Sequence, residues 1–296
     1  MNALLKAVAI CACLGVAARA ETAKLAHAAS LYADAKEVKL RAPAGVACTA
    51  DGRLVVADSG NGRLLTLAFR DGAFSAAAEV KLPQLGVPVR VQIDSKGDVL
   101  ALDARGRRIA RVGLGGQFRG YVEPTGVPGE RALVPVAFRL DAADRIVLLD
   151  AAGARVVVLD PAGAFVRQLR LPRGSFLDVA VDARGTLYAV DAAARAVWSA
   201  PPGAASFAKL SRRLDEAASH PAYAAVTERG LIVVVDSHGG GLVMLGPDGS
   251  FLGRQLALGW TDGALYYPAQ ICIDGKGDVF VADRNNDRVQ AFVPGR

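Results

Sequence analysis

The chain has 296 residues, of which 52% are hydrophobic and 22% charged, so it can bury a substantial core and is not intrinsically disordered. Its formal net charge of +6 comes without a long run of Lys or Arg, which argues against nucleic acid as a partner. Beyond the N-terminus, no segment approaches the roughly 18 consecutive apolar residues of a transmembrane helix.

The first 20 residues have the features of a secretory signal peptide. Lys6 gives a positive start, Ala7 to Ala17 form a short apolar run, and Ala18-Arg19-Ala20 places small residues where signal peptidase cuts. We therefore predict cleavage after Ala20 and export to the periplasm or beyond. Cleavage removes two cations and no acid, which lowers the net charge from +6 to +4. The alternatives are a buried N-terminal helix and a lipoprotein anchored at Cys13.

The rest of the chain contains six copies of one pattern, in which an Asp ends an apolar strand and an aliphatic residue follows six positions later. A Pro stands 15 residues before the Asp in five copies, with Phe176 in the fourth. A Gly stands six residues before it in five copies, with Asp144 in the third. The aspartates, separated by 45, 47, 41, 45 and 47 residues, are Asp58, Asp103, Asp150, Asp191, Asp236 and Asp283.

Each copy predicts four β-strands. Two apolar segments, rich in β-branched residues, lie between the Pro, the Gly and the Asp, which are turn formers. A third strand starts at the aliphatic residue, and a looser fourth follows, as in residues 165–171. Four strands in about 45 residues is the period of a propeller blade. We therefore predict an all-β fold: a six-bladed propeller over residues 34–296, after an N-terminal segment 21–33.

These units resemble the NHL repeat. The best matches are DGRLVVADSGNGR (51–63) and DGKGDVFVADRNNDR (274–288). The resemblance covers about residues 34–296, although the fourth unit lacks the Pro and the fifth has SHGGG (237–241) in place of the Asn/Arg turn. It implies a six-bladed propeller that acts as a binding scaffold. Similar six-bladed propellers also include lactonases and an amidating lyase.

The last unit has no fourth strand of its own, because the chain ends soon after the third. The stretch LYADAKEVKLR (31–41) precedes the first unit and has no place in it. We predict that this stretch forms the outer strand of the last blade, which closes the ring and removes its open edges. The alternative is a free N-terminal arm.

Two cysteines remain after signal cleavage, Cys48 and Cys272. They lie in the innermost strands of the first and last blades, which a closed ring makes neighbours. Their strand positions allow them to face each other in one of two orientations. The sequence therefore leaves open a disulfide, which needs a Cα separation below about 7 Å, and two buried thiols.

The recurring Asp is predicted to be structural, since Asp accepts backbone N–H groups in turns. An Arg five residues later can reach its carboxylate, and it is present in four units as Arg63, Arg108, Arg155 and Arg288. The last of these turns, DRNND (283–287), also resembles the start of a calcium loop. Such a loop would need Gly and Glu where the chain has Arg288 and Pro294, so we interpret DRNND as a strand-joining turn.

Polar residues recur on one face of the innermost strands, 13 and 11 residues before the Asp. Polar groups are costly in a dry core, so we expect this face to line a wet central channel. Two arginines against one carboxylate favour an anionic ligand; alternatively, the carboxylate only neutralises one arginine. The candidate channel residues are Arg90, Gln92, Arg139, Asp178, Tyr223 and Gln270.

The loops between units and the turns after each Asp are expected to surround the channel mouth, where propellers commonly bind. The glycines of the 237–241 turn are predicted to allow close approach of a ligand. Aromatic side chains beside a basic channel suit a sugar or a peptide. The candidate mouth residues are Arg173, His220, His238, Trp260, Tyr266 and Tyr267.

Catalysis has no complete set of residues in the sequence. A three-histidine zinc site like that of the amidating lyase would need His27 from the N-terminal segment, and a calcium site would need carboxylates around Asp178. We therefore predict an exported, non-catalytic scaffold that holds a protein, peptide or glycan at the channel mouth, with no cofactor or metal. The alternative is a lactonase-like hydrolase or amidating-lyase-like lyase with a metal in the central channel.

Overall fold

The computed structural model of the chain describes residues 23–129, 132–211 and 214–295. They form six antiparallel sheets whose innermost strands contact one another in a closed ring. The predicted signal peptide and Cys13 lie outside the described residues. Within the described ranges, no helix is long and apolar enough to cross a membrane.

The chain begins with strand β1 (Leu25–Leu31), which belongs to the last blade. Blade 1 has five strands, one more than each of the other blades. Its strands are β2 (Gly45–Cys48), β3 (Arg53–Asp58), β4 (Arg63–Arg70), β5 (Ala73–Phe74) and β6 (Ala78–Val80). Blade 2 contains β7 (Pro88–Ile93), β8 (Val99–Asp103), β9 (Arg108–Val112) and β10 (Phe118–Tyr121). Blade 3 contains β11 (Pro135–Leu140), β12 (Ile146–Asp150), β13 (Arg155–Leu159) and β14 (Phe165–Arg170).

The remaining blades follow the same order from the axis outward. Blade 4 contains β15 (Phe176–Val181), β16 (Leu187–Asp191), β17 (Ala196–Ala200) and β18 (Ala208–Lys209). Blade 5 contains β19 (Pro221–Val226), β20 (Ile232–Asp236), β21 (Gly241–Leu245) and β22 (Phe251–Gln255). Blade 6 contains β23 (Ile271–Ile273), β24 (Val279–Asp283) and β25 (Arg288–Pro294). Short 3-10 turns at Ser59–Asn61 and Arg284–Asn286 join the second and third strands of blades 1 and 6. The predicted fold class, a six-bladed propeller, is confirmed.

The hydrophobic core lies between neighbouring blades and not within them. Along β12, Leu148 packs toward blade 2, while Val147 and Leu149 pack toward blade 4. This alternation follows from the two-residue period of a strand, and it explains why the second strands read as continuous apolar runs. Six such clusters fill the six seams. A fully buried side chain such as Phe138 contributes about 1.5–3 kcal/mol.

The ring is closed by β1, which pairs antiparallel with β25 from Leu25↔Pro294 to Leu31↔Val289. Closure by an N-terminal strand is therefore confirmed, but the predicted segment, residues 31–41, was wrong. Residues after Leu31 form a turn instead: Oδ1 of Asp34 accepts the N–H groups of Lys36 and Val38, at 2.8 and 3.0 Å. Asp34 also forms a buried ion pair with Arg63 at 2.6 Å, which ties this turn to blade 1.

The same seam contains a disulfide between Cys48 of β2 and Cys272 of β23, with Cα atoms 5.9 Å apart. Of the two alternatives that the sequence left open, the structure shows the covalent one. The bond joins the innermost strands of blades 1 and 6 across 224 residues of chain. Within the described residues, no other seam has such a covalent bond in addition to the connecting chain.

Candidate functional site

The recurring aspartates are the frame on which the channel mouth is built. All six are buried, and in each blade Oδ1 accepts the N–H of a residue just before the innermost strand, at 2.6–3.1 Å. This bond fixes the inter-blade loop against the turn between the second and third strands. Loops and turns therefore meet at one end of the ring, which we call the top face.

The second oxygen of each aspartate has different partners in different blades. Arg63, Arg155 and Arg288 donate Nε–H to it at 2.7–2.8 Å, as predicted. The prediction for Arg108 was wrong, because its guanidinium lies over the ring of Tyr121, 3.9 Å from the centroid. Oδ2 of Asp103 instead accepts the backbone N–H of Gly106 at 2.8 Å.

The glycine-rich turn of blade 5 is explained by packing within the chain. Arg254 of β22 reaches Oδ2 of Asp236 at 2.8 Å, in place of the missing arginine five residues after the Asp. A Cβ at Gly239 or Gly241 would lie 2.6–2.7 Å from its guanidinium nitrogen Nη2. A Cβ at Gly240 would lie 2.5 Å from Leu258 Cα. The space predicted for ligand approach is therefore filled by Arg254 and the following loop.

The DRNND turn is likewise saturated by protein donors. Oδ2 of Asp283 accepts hydrogen bonds from Asn286, Arg288 and Gln290, at 2.8–2.9 Å. Asp287 accepts the backbone N–H of Ala42 at 2.7 Å. Within the described residues, no group of three or more His, Cys, Asp or Glu side chains is arranged to hold a metal ion.

The six predicted channel residues lie around the axis in two layers, and Arg90, Arg139, Asp178 and Gln270 are buried there. Arg90, Asp178, Tyr223 and Gln270 lie in the upper layer, near the top face, whereas Arg139 and Gln92 lie below. Arg139 donates to Asp178 Oδ2 at 2.9 Å and to the carbonyl oxygen of Ala224 at 2.8 Å. The same carboxylate oxygen accepts the N–H of Ala224 at 3.1 Å. Burial lowers the pKa of Arg139, Asp178 opposes this effect, and Arg90 adds to it.

Gln270 links blades 6 and 2 across blade 1. Its Oε1 accepts the N–H of Val91 at 3.2 Å, and its Nε2 donates to the carbonyl oxygen of Val91 at 2.9 Å. The side chain passes Gly45, where a Cβ would lie 3.1 Å from Oε1. Gln92 donates to the same carbonyl at 2.7 Å. Both amides thus have structural partners, and contact with a ligand stays a prediction for them.

Arg90 spans the channel from blade 2 to blades 4 and 5. Its guanidinium carbon lies 4.4 Å from the ring centroid of Tyr223, and Nη1 donates to the carbonyl of Val89 at 3.2 Å. Its Nε lies 3.9 Å from Oδ1 of Asp178, which is too long for a hydrogen bond. Both of these atoms are buried, and neither has a hydrogen-bond partner among the described residues. The buried centre of the ring, which we call the channel throat, therefore contains one donor and one acceptor that face each other without a hydrogen bond.

Five of the predicted mouth residues form a row of ring contacts across blades 5 and 6, which we call the aromatic ridge. It begins with the stacked imidazoles of His220 and His238, whose centroids are 4.3 Å apart. It continues through Tyr267 and Tyr266 to Trp260, with successive centroids 5.1–5.5 Å apart. Trp260 is 73% exposed and Tyr267 is 41% exposed. Arg173 is exposed in the loop before blade 4 and is not part of the aromatic ridge.

The imidazoles lie directly above the frame of blade 5. Asp236 Oδ1 accepts the backbone N–H of His220 at 2.8 Å, which fixes the start of β19. Burial lowers the pKa of His220, and His238 and Arg195 lower it further, against the opposing effect of Asp236. The ridge therefore begins with a neutral imidazole at neutral pH.

Comparison with known proteins gives the same fold. The NHL repeat family matches residues 40–66 and 265–292, within the two units that the sequence singled out. Virginiamycin B lyase from Staphylococcus aureus is similar at 15% identity over 90% of this chain and 98% of that chain, with a TM-score of 0.63. A gluconolactonase from Xanthomonas campestris is similar at 16% identity over 93% and 95%, with a TM-score of 0.65. No curated protein sequence matches the chain significantly.

The six closed blades and the shared top face define the class of protein, a β-propeller. At identities of 15–16% the likeness to the two enzymes concerns the fold alone. The two matches to the NHL repeat fall in blades 1 and 6, the blades that meet where the ring closes. The chain is a six-bladed β-propeller whose first and last blades match the NHL repeat.

Proposed function

We propose that the protein is an exported binding scaffold that holds a protein, peptide or glycan partner on the aromatic ridge. The observation that carries this proposal is the unbroken row of five rings that ends in a Trp side chain with 73% exposure. Large exposed aromatics are unfavourable in water, and they dominate the binding energy of sites that use them. A rigid propeller frame holds them in place without the partner.

Two features support export. The N-terminal sequence has the order of a secretory signal, and the structure contains a disulfide, a bond that persists in oxidising compartments. Mass spectrometry of the protein isolated from the producing cells tests this directly. We expect an N-terminus at Glu21. A chain that retains Met1 contradicts export, whereas a lipid on Cys13 contradicts only cleavage after Ala20.

Tryptophan fluorescence tests ridge binding, because the chain has only two tryptophans. Trp198 packs against the core of blades 3 and 4, so a Trp198→Phe variant leaves Trp260 as the sole reporter. We expect soluble peptides or oligosaccharides to shift or quench its emission. Tyr267→Ala should weaken that binding at least about 10-fold, since a buried aromatic anchor contributes about 2 kcal/mol or more.

The matched control is Leu114→Ala. Leu114 is 65% exposed but lies beside Gly97, in the turns at the opposite end of the ring. It should leave ligand binding unchanged. Equal losses of binding affinity in the two variants contradict the proposal. So does an unchanged Trp260 emission with all of the peptides and oligosaccharides tested.

A second candidate function, acid–base catalysis on the ridge, is favoured by the lowered pKa of His220. A neutral imidazole beside a second imidazole and the Tyr267 phenol can accept a proton. Two structurally similar proteins are named as a lyase and a gluconolactonase, and a histidine-to-alanine variant of the lyase is described as catalytically inactive. Turnover of lactones or cyclic peptide esters that His220→Ala abolishes would establish this function. Turnover that survives this substitution excludes it.

A further inference from the structure

We propose that the partner is a carbohydrate, and that one of its hydroxyl groups enters the channel throat between Arg90 Nε and Asp178 Oδ1. This inference rests on the proposed binding function and names the ligand class of the same site. Both atoms are buried and lack a hydrogen-bond partner among the described residues. They are 3.9 Å apart, and an oxygen at about 2.8–3.0 Å from each fits that separation.

The chemistry of the two atoms selects the group that binds them. Arg90 Nε only donates and Asp178 Oδ1 only accepts, so the bridging group must do both. A hydroxyl does both. A ligand carboxylate would satisfy Arg90 but would be repelled by Asp178, which argues against the anionic ligand that the composition of the channel favoured. An ammonium would satisfy Asp178 but would be repelled by Arg90.

The side chain of Arg90 is free enough to admit an oxygen. Among the described residues, its one hydrogen bond goes to the carbonyl of Val89 at 3.2 Å. Its guanidinium also lies over the face of Tyr223 and near Asp178. In contrast, Asp178 is fixed through Oδ2 by Arg139 and by the N–H of Ala224. A small rotation of Arg90 therefore opens the gap, while the acceptor stays in place.

The throat and the aromatic ridge share one blade. Tyr223 and His220 both belong to the upper end of blade 5, at β19 and directly before it, and Arg90 stacks on Tyr223. A ligand on the ridge therefore reaches the throat along one edge of the mouth. Rings that stack on the apolar faces of a sugar, next to polar groups that bind its hydroxyls, form a site suited to carbohydrate.

Deoxy sugars provide the test. Methyl glycosides and tetrasaccharides of glucose, galactose and N-acetylglucosamine are titrated by calorimetry, and the best binder is then tested as analogues that each lack one hydroxyl. A site built to bond a hydroxyl strongly rejects the analogue without it. We expect one deoxy position to lower affinity at least 10-fold, and the others by much less.

The variant Arg90→Met assigns that loss to the throat. It keeps an extended side chain of similar length and removes the donor. It should lower the affinity for the parent sugar at least 10-fold. The affinity for the critical deoxy analogue should be the same in the variant and the wild type, because the analogue already lacks the hydroxyl that bonds to Arg90. Arg90→Lys, which keeps the charge and loses Nε, should behave like Arg90→Met. Thermal unfolding confirms that both variants are folded.

Three outcomes overturn the inference. If Arg90→Met binds the parent sugar with wild-type affinity, the gap holds water only. If peptides bind the ridge and sugars do not, the binding scaffold stands but its carbohydrate ligand is wrong. If neither class responds to Tyr267→Ala, the proposed function itself fails.

Discussion

The turns of blades 6 and 4 begin with an aspartate at the same position of the repeat, but their carboxylates have different surroundings. In both, Oδ1 accepts the N–H of the preceding loop, from Tyr266 at 2.7 Å and from Ser175 at 3.1 Å. In blade 6, three side chains donate to Oδ2 of Asp283. In blade 4, where Ala196 replaces the arginine, Oδ2 of Asp191 is buried and has no partner among the described residues.

The difference separates two roles of one residue. The hydrogen bond from a backbone N–H to Oδ1 recurs in every blade, so it is part of the fold. It explains why the Asp is the most constant position of the repeat. The ion pair on Oδ2 is local. In blade 2 Arg108 turns away from the aspartate, in blade 4 Ala196 replaces the arginine, and in blade 5 Arg254 of another strand takes its place. The partners of Oδ2 therefore determine how much each aspartate stabilises its turn.

The largest expected effect comes from Asp283→Asn. The new NH2 group would face the donors of Asn286, Arg288 and Gln290. It would leave Arg288, which is 1% exposed, with only the half-exposed Asp262 as a counterion. Breaking such a buried pair costs about 3–5 kcal/mol. The matched variant Asp191→Asn meets no donor at this oxygen and should change stability by less than about 1 kcal/mol. Urea unfolding measures both, and equal losses would show that the ion pair is not what distinguishes the turns.

The disulfide gives the next largest effect, because it lies in the seam that blade 6 shares with blade 1. The variant with Cys48→Ala and Cys272→Ala should lose about 2–4 kcal/mol, since the bond restricts the unfolded chain over a long loop. Ala in both positions avoids free thiols. A reductant should destabilise the wild type by a similar amount and leave the double variant unchanged. If the reductant affects both proteins equally, the loss does not come from this bond.

Arg108 and Arg155 occupy the same repeat position, but we expect their replacement to have different effects on stability. Arg155 is buried and bonds to Asp150, so Arg155→Ala should cost about 3 kcal/mol or more. Arg108 is exposed and lies over Tyr121, where a cation–π contact contributes about 0.5–1 kcal/mol. Arg108→Ala should therefore cost no more than about 1 kcal/mol. Similar losses in thermal unfolding would refute the distinction.

The comparison also shows how far the sequence predicts the structure. The register of the Asp, Pro and Gly positions predicted the number of blades, the order of strands and the shared top face, because these depend on local turn chemistry. The outer strand of blade 6 was misplaced because LAHAASL (25–31) is rich in alanine and reads weakly as a strand. Its assignment depends on packing against β25, which local pattern does not contain.

The candidate site was predicted in composition and not in connectivity. Alternation along the innermost strands identified Arg90, Asp178 and Tyr223 as neighbours of the axis. It could not show that Arg139 would take one oxygen of Asp178 and leave the other unpaired, since this depends on side-chain reach across three blades. The aromatic ridge was visible as residue types in loops, but its continuity depends on the fold of the loop between blades 5 and 6.

The smallest expected effect is a pH dependence at the start of the ridge. The pKa of His220 in the folded protein is lowered by burial and by His238, so the unfolded chain binds its proton more readily. This contribution to stability is fully present above the unfolded pKa, near about 6.5, and is lost as the pH falls toward the folded value. His220→Gln should therefore flatten the fall in unfolding free energy below about pH 7, whereas Trp260→Phe, which removes no titrating group in this range, should retain it. An unchanged slope in His220→Gln would show that the acid sensitivity comes from another group, such as the carboxylate of Asp236. The pKa of Asp236 is lowered, because hydrogen bonds from His220, Ser219, Arg254 and Gly239 outweigh the effect of burial.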